Sequence, residues 1–538
     1  MYNKNENGLL IKNLFDAPLV SNLGQNIVYQ DKFSMNYETW KQRVHKFANV
    51  LANLGVKKGS TVAFLDYDSH RYLEAYYAVP MMGAKLHMIN MRLSIENFAY
   101  TIEHAEDEII ICHSDFIPLL EEIKGRIATD KKFIVIDDFK KSVPSQLKIE
   151  GEYEALIEQA NPTFDFPDFD ENTIATTFYT TGTTGLPKGV YFSHRQLVLH
   201  TLVATTTLSS PVSQGRFHRE SVYMPLTPMF HVHAWGMPYI ATYLGVKQVY
   251  PGKYSPPVIL KLISKHKVTY SHCVPTILNM IIKDSNIDQH DLSNWTCIIG
   301  GAPLTKELAL ETLKIGIDVH AGYGMSETCP FVSTSHLTSE DLELSLEEQV
   351  DKRCRTGNPV GLLQCRVVDD EGQDVPNDDK TPGEIILRGP YLTQGYYKDR
   401  THSDKLWKNG WLHTGDVACI NKSGNLKITD RIKDIIKIGG EWLSSLELED
   451  VIRKNKNISE VAVIGYPNAK WSEVPMAIVV PSKNCTINEQ EIFDDIKLNI
   501  KMGLIPREAI TLKIRIANEI DKTSVGKVNK IALRNKYC

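Results

Sequence analysis

The sequence predicts an α/β protein built on parallel sheets, followed by a small β-rich part and a compact α/β tail. Three observations carry this. From Thr61 to Val319, short apolar runs alternate with helix-period stretches, the pattern of strands joined by covering helices. From about residue 355, short strands and Gly/Pro/Asp turns take over (VVDDEGQ, GEIILRGP, NKSGNLKITD), which read as hairpins. After Asp430 the pattern resets into alternating helix-like and strand-like segments.

The elements follow in order. Tyr37–Leu54 repeats apolar residues at spacings of three and four, an amphipathic helix that Gly55 stops. Thr61–Asp66 reads as a buried strand. His70–Gly83 reads as a helix that Pro80 should kink or end, because proline lacks the N–H and its ring crowds the carbonyl four residues back. Lys85–Ile89 is a second strand, a helix starts at Ser94, and Glu108–Cys112 and Phe133–Asp137 are further short apolar runs. Ile174–Tyr179 is a strand that feeds a Thr/Gly loop, with a helix after His194. Ser221–Met224, Val268–His272 and Trp295–Ile299 are strands, and PTILNMIIKD is helix-like. Val319 leads into the loop Gly322–Glu327. In the tail EVAVIGY, MAIVVP and ITLKIRI are strand-like and EQEIFDDIKLNI is helix-like.

Composition narrows the class. With 538 residues there is room for more than one domain and a sizeable core. A hydrophobic fraction of 42% and a charged fraction of 23% describe an ordinary globular chain. The net charge of -5 speaks against a nucleic-acid partner held by a broad basic field. No window approaches the roughly 18 uninterrupted apolar residues that span a bilayer. MYNKNENGLL lacks the apolar core of a signal peptide, and NKYC is not a peroxisomal address, so a cytoplasmic location is expected. Nine cysteines without C-x-x-C spacing suggest free thiols rather than a zinc site or a disulfide framework.

Six stretches carry chemistry. In TTFYTTGTTGLPKGVYFSHR, Thr180, Thr181, Thr183 and Thr184 offer hydroxyls, Gly182, Gly185 and Gly189 expose backbone N–H groups, and Lys188 adds an ammonium. Such a loop suits polyphosphate. It is not a Walker A loop: counted from Gly182, Pro187 stands where the second Gly belongs and Gly189 where Ser or Thr belongs. GYGMSE places Tyr323 and a carboxylate, Glu327, beside the Ser326 hydroxyl. WLHTGD places Asp416 after a Thr-Gly pair, which predicts a turn. DRIKDIIKIGGE, TSVGK and PMFHVHAW complete the set.

These stretches, in this order and over nearly the whole chain, resemble the acyl-adenylate-forming superfamily: acyl-CoA synthetases, luciferase and the adenylation domains of peptide synthetases. The nearest likeness is to the bacterial medium- and long-chain fatty acyl-CoA synthetases. The resemblance implies a large N-terminal domain, 1–429, of two α/β sheet subdomains plus a small β subdomain. A hinge at 430–435 and a small mobile C-terminal α+β domain, 436–538, follow. It implies that the Thr/Gly loop holds the ATP phosphates and that Thr183 and Glu327 hold Mg²⁺. Gly301, Ala302, Gly322, Tyr323, Gly324 and Ser326 would line the adenylate site. Asp416, Arg431, Lys433 and Lys437 would complete it, with Asp416 and Arg431 at the ribose. Lys527 would bridge the acyl adenylate from a mobile tail; the family's usual proline two residues before Thr523 is Asp521 here. His231 and Trp235, with Gly301 and Gly324, would line the acyl pocket, and His231 would sit near the substrate carboxylate. Gly439, Gly440, Glu441 and Trp442 would border the CoA channel, and Asp430 would be the hinge residue. ATP, Mg²⁺, coenzyme A and a small carboxylic acid are the implied ligands, and a homodimer is compatible with the resemblance. The expected reaction forms an acyl-AMP and then an acyl-CoA thioester. Rival readings change the acid to an aryl, short-chain or sulfur-containing one, change the acceptor to a carrier protein, or make the chain a non-catalytic nucleotide-binding relative.

Overall fold

The computed structural model describes residues 8–16, 24–138, 145–180, 186–212, 214–438, 441–522 and 528–538, with the side chains of Glu441 and Trp442 excepted. The chain forms two compact units: Met1–Leu363 with Arg388–Trp407, and Gln364–Leu387 with Lys408–Cys538.

The first unit holds two large sheets. Among the described residues, one is seven-stranded, ordered Ile149–Glu152, Lys132–Ile136, Ile109–His113, Thr61–Leu65, Lys85–Met88, Ile174–Thr180 and Lys188–Ser193. It is parallel except for its last pair. The other is nine-stranded, with a parallel centre running from Asp318–Gly324 through Thr296–Ile299, Tyr270–Cys273, Val222–Leu226 and Lys247–Tyr250 to Asn26–Tyr29. Antiparallel strands close both of its edges. Central parallel strands covered on both faces should be apolar throughout. Thr61–Leu65 and Ile109–His113 are buried at every position. Ala63, Leu65, Ile110 and Cys112 pack with Phe98, Ile102 and Leu120 from the covering helices.

The helix Tyr37–Asn53 is capped by Asn36, whose side chain accepts from the Thr39 N–H, and it buries Tyr37, Trp40, Val44, Phe47 and Leu51. Gly55 then takes a φ of +93°, which ends it. The helix His70–Met81 ends one residue after Pro80, as the sequence predicts. Pro80 cannot donate to the Tyr76 carbonyl four residues back. The Tyr239 hydroxyl donates to that carbonyl instead, at 3.0 Å. A tertiary contact thus supplies what the sequence removes, and both residues are fully buried.

The sequence also expects a loop leading from Tyr179 toward the helix at His194. The structure places a strand there, Lys188–Ser193, antiparallel to Ile174–Thr180 with Thr180 opposite Lys188. The Thr/Gly stretch therefore joins the two strands of a hairpin.

The second unit carries the β-rich part and the tail. Gln364–Val368, Gly383–Arg388, Trp411–Ile420 and Leu426–Arg431 form an antiparallel sheet. Ile436–Ile438, Glu441–Leu443, Ile458–Asn468, Ser472–Pro481 and Lys513–Ile516 form a second sheet, antiparallel except where Lys513–Ile516 pairs parallel with Ser472–Pro481. The helices Ser445–Arg453 and Glu489–Lys501 cover the latter through Leu448, Val451, Ile452, Ile492 and Ile496. The mixed α/β class and the hairpin and tail patterns read from the sequence are those observed.

Candidate active site

The site residues named from the sequence divide between the two units. In the first, the hairpin fixes Thr180 at a strand end and Lys188 at the start of its partner, and the Thr180 hydroxyl donates to the Lys188 carbonyl at 3.4 Å. Thr181, Gly182, Thr183, Thr184 and Gly185 lie outside the described residues, as do Gly439, Gly440 and Lys527.

Gly322–Glu327 is not wholly a loop. Gly322, Tyr323 and Gly324 belong to the strand Asp318–Gly324, which pairs antiparallel with Phe331–Thr334, and Tyr323 faces Ser333. At Gly324 the backbone passes so close that a methyl group would sit 1.7 Å from the Pro330 carbonyl oxygen. A 3₁₀ turn, Ser326–Thr328, then presents Glu327, which is 8% exposed.

Tyr396, which the sequence reading missed, stands beside this carboxylate. Its hydroxyl donates to Glu327 Oε1 at 2.7 Å. Its backbone pairs with Val190, and the Tyr397 N–H donates to the Gly189 carbonyl at 2.7 Å. The Lys188 ammonium lies 5.0 Å from the centre of the Tyr396 ring. Burial and the neighbouring Glu327 raise the Tyr396 phenol above its ordinary range, so it is a donor at neutral pH. Among the described residues no group of three or more His, Cys, Asp and Glu side chains is placed to hold a metal ion. One nearly buried carboxylate beside hydroxyls fits Mg²⁺, which takes hard oxygen ligands and fills its remaining positions with phosphate oxygens and water.

The acyl-pocket candidates sit on an unusual backbone. Val232, His233, Ala234, Trp235 and Gly236 have φ of 49°, 55°, 45°, 60° and 73°, so the short turn Val232–Trp235 is left-handed. Each L residue in that conformation costs roughly 1–2 kcal/mol. Met229, three residues before the turn, is anchored on both its backbone groups. The Asp68 carboxylate accepts from the Met229 N–H at 2.8 Å and from the Tyr254 hydroxyl at 2.5 Å, and the Tyr76 hydroxyl donates to the Met229 carbonyl. The turn sends His231 to a partly exposed position and His233 into the core. His233 Nε2 lies 2.7 Å from Thr176 Oγ1, and burial lowers its pKa to about 3, so it stays neutral. Trp235 packs over the His272 ring at a centroid distance of 4.9 Å. A Cβ on Gly300 would lie 3.0 Å from its indole. Gly301, with φ +75°, and the exposed Ala302 follow the end of the strand Thr296–Ile299.

In the second unit, Asp416 is not in a turn. It lies within the strand Trp411–Ile420, at a bulge where Gly415 takes φ +68° and the register slips between Ile386↔His413 and Glu384↔Val417. Asp416 pairs directly with Arg431 of the next strand, whose Nε is 3.0 Å from Oδ1. Lys433 follows in a turn, its pKa lowered by burial and then by Arg431. Lys437 lies on the strand Ile436–Ile438. Asp430 is buried and accepts from the Ser445 N–H at 2.6 Å and the Ser445 hydroxyl at 2.7 Å. The Ser444 hydroxyl donates to the Thr429 carbonyl at 2.6 Å.

Residues 20–397 match the AMP-binding enzyme family and residues 447–527 its C-terminal domain. The chain belongs to the AMP-binding enzyme family, the acyl-adenylate-forming superfamily. A long-chain-fatty-acid–CoA ligase of Thermus thermophilus is 37% identical over 96% of this chain and 92% of its own length. A 3-methylmercaptopropionyl-CoA ligase of Ruegeria pomeroyi is 33% identical over 93% and 92%. The crystal structure of the anthranilate CoA ligase AuaEII with anthranoyl-AMP superposes with a TM-score of 0.84, covering 98% of this chain and 97% of that one at 22% identity, and shares the fold. No helix among the described residues is long and apolar enough to cross a membrane.

Proposed function

We propose that this ATP- and CoA-using acid–thiol ligase activates a medium- or long-chain fatty acid. The observation that carries the reading is the wall formed by Trp235 over Gly300 and His272, with Gly300 against the carbonyl of Gly322 on the strand that leads to the Glu327 turn. An apolar wall on the approach to a charged turn suits an apolar acid with one charged end. The name of the Thermus relative supports the same substrate class.

In this reading the acid carboxylate, beside His231, attacks the ATP α-phosphorus, and the bond to pyrophosphate breaks. Thr180–Thr184 and Lys188 cradle the phosphates, and Glu327 with Thr183 would hold Mg²⁺, which neutralises charge on the leaving pyrophosphate. Tyr323 packs against adenine, with Gly301, Ala302, Gly322, Gly324 and Ser326 around it. Asp416 and Arg431 hold the ribose, supported by Lys433 and Lys437, and Lys527 bridges the new acyl-AMP. Positioning and electrostatics supply most of the acceleration in phosphoryl-type transfer. The CoA thiolate then attacks the acyl carbon and AMP leaves, with Gly439, Gly440, Glu441 and Trp442 bordering its channel. Residues 430–435 serve as the hinge between 1–429 and 436–538. Support for Asp430 as pivot comes from its place at the end of the strand Leu426–Arg431, with its side chain tied to Ser445.

The Ruegeria relative favours one second reading, a short sulfur-containing acid. The deciding experiment is acid-dependent pyrophosphate release, with and without CoA, across straight-chain acids of increasing length, benzoate and a thioether acid, with thioester measured in the same samples. Turnover that peaks at a medium or long chain supports the proposal. A peak at the thioether or aryl acid replaces the substrate and keeps the residue roles. Adenylate without thioester moves the acceptor away from CoA.

A further inference from the structure

Resting on the adenylation reading above, we propose that Tyr396 is a positioning residue that locks the Glu327 carboxylate and seats the Lys188 ammonium, so that one side chain sets both charges facing the ATP phosphates. Its hydroxyl donates to Glu327 Oε1 at 2.7 Å, and its ring centre lies 5.0 Å from Lys188 Nζ. The residue is itself fixed. Its backbone bridges Val190 on the hairpin strand that begins at Lys188. Its own N–H accepts no freedom either, since it donates to Ser403 Oγ at 2.8 Å.

The physics gives the two contacts different duties. A nearly buried carboxylate that must meet a divalent cation gains from a donor that fixes its rotamer without adding charge, because a cationic partner there would compete with the metal. A phenol does this and a lysine or arginine would not. The face of the same ring attracts an ammonium and holds it without forming an ion pair that neutralises it. The ring contact therefore leaves the Lys188 ammonium available to phosphate. The Glu327 carbonyl also accepts from the Thr393 N–H at 2.9 Å, so the segment that carries Tyr396 is tied to the Glu327 turn at both backbone and side chain.

The test is calorimetric ATP binding to wild type, Y396F, E327Q and the double variant, each with Mg²⁺ and with EDTA. Y396F keeps the ring and removes the hydroxyl. It should weaken MgATP binding about tenfold, the size of one hydrogen bond to a charged group, and leave ATP binding in EDTA nearly unchanged. In the E327Q background the same substitution should add little. Equal losses with Mg²⁺ and EDTA, or an undiminished loss beside E327Q, would overturn the proposal. The ring contact is read separately: Y396L should cost more than Y396F when Lys188 is present and no more than Y396F beside K188M. Equal extra cost in both backgrounds removes the cation–ring half. Equal losses count against the proposal when the variant's melting temperature matches wild type; where Y396F is destabilised, Y396W, which keeps an aromatic face and lacks the hydroxyl in that place, repeats the Mg²⁺ comparison. Wild type that binds no MgATP would sink the adenylation reading itself, whereas wild type that binds it alongside an unaffected Y396F would sink this inference alone.

Discussion

Arg431 and Asp416 face each other across neighbouring strands, and the guanidinium Nε lies 3.0 Å from a carboxylate oxygen. Asp416 is nearly buried, whereas the Arg431 side chain is 48% exposed. The carboxylate is thus pre-aimed by a partner that leaves its own outer face to solvent. If this pair receives the ribose, D416A removes the acceptor that Arg431 meets at 3.0 Å. ATP binding measured by calorimetry should weaken at least about tenfold. R431K should not restore wild-type affinity, because an ammonium cannot reproduce the planar fork. Unchanged ATP affinity in D416A would remove both residues from the ribose site.

In the proposed mechanism, Lys527 separates the two half-reactions. K527A should lose acid-dependent pyrophosphate release by orders of magnitude and still convert supplied acyl-AMP to thioester. Equal loss of both steps would refute its assigned role.

Asp68 makes stability depend on pH. Burial pushes its carboxyl up to about 7, and the donors Tyr254 and Met229 only partly offset this. The folded state then holds the proton more tightly than the unfolded chain. The associated stability is fully present below the unfolded pKa near 4 and is lost as pH rises through about 7. Asn at this position keeps an acceptor for Met229 and does not titrate. The melting temperature of wild type minus that of D68N should therefore fall between pH 4 and 8, and a flat difference would count against the shift.

Tyr239 answers for the missing N–H of Pro80. Y239F keeps the ring stacked on Tyr76, at 5.3 Å, and removes the donor to the Tyr76 carbonyl. It should cost about 1–3 kcal/mol in denaturant unfolding, the penalty of a buried unsatisfied acceptor. P80A supplies an N–H to the same carbonyl, so Y239F should cost less beside P80A than alone. Strict additivity would show that the two donors do not serve one acceptor.

Much of this was legible in advance where chemistry is local. The apolar runs at 61–66 and 108–112 became buried strands because a strand covered on both faces has no other composition. The Glu327 turn and the Asp416–Arg431 segments stood out as short polar patterns. The hairpin strand Lys188–Ser193 was hidden by its own start, since Lys188 and Gly189 read as the end of a loop, although Val190, Tyr191 and Phe192 favour a strand. Asp416 was placed in a turn because Gly415 signals positive φ, and a bulge uses the same residue without ending the strand. Tyr396 gave no signal: its contact with Glu327 spans 69 residues, and only the folded sheet brings them together. His233 was obscured by the left-handed turn, which follows neither a period of 3.6 nor one of 2.

That turn bears on how the enzyme can be retuned. With Trp235 as the acyl-pocket wall proposed above, a protein engineer who replaces it to admit a different acid also edits one of five consecutive residues held at positive φ. The substitution changes the shape of a wall and the tension in the chain that carries it. Glycine at 235 would relax the backbone while it empties the pocket, and a β-branched residue would tighten the backbone whatever its fit to the acid. Selectivity and robustness are therefore wired through the same five residues, and a library built there will sort variants by both properties at once.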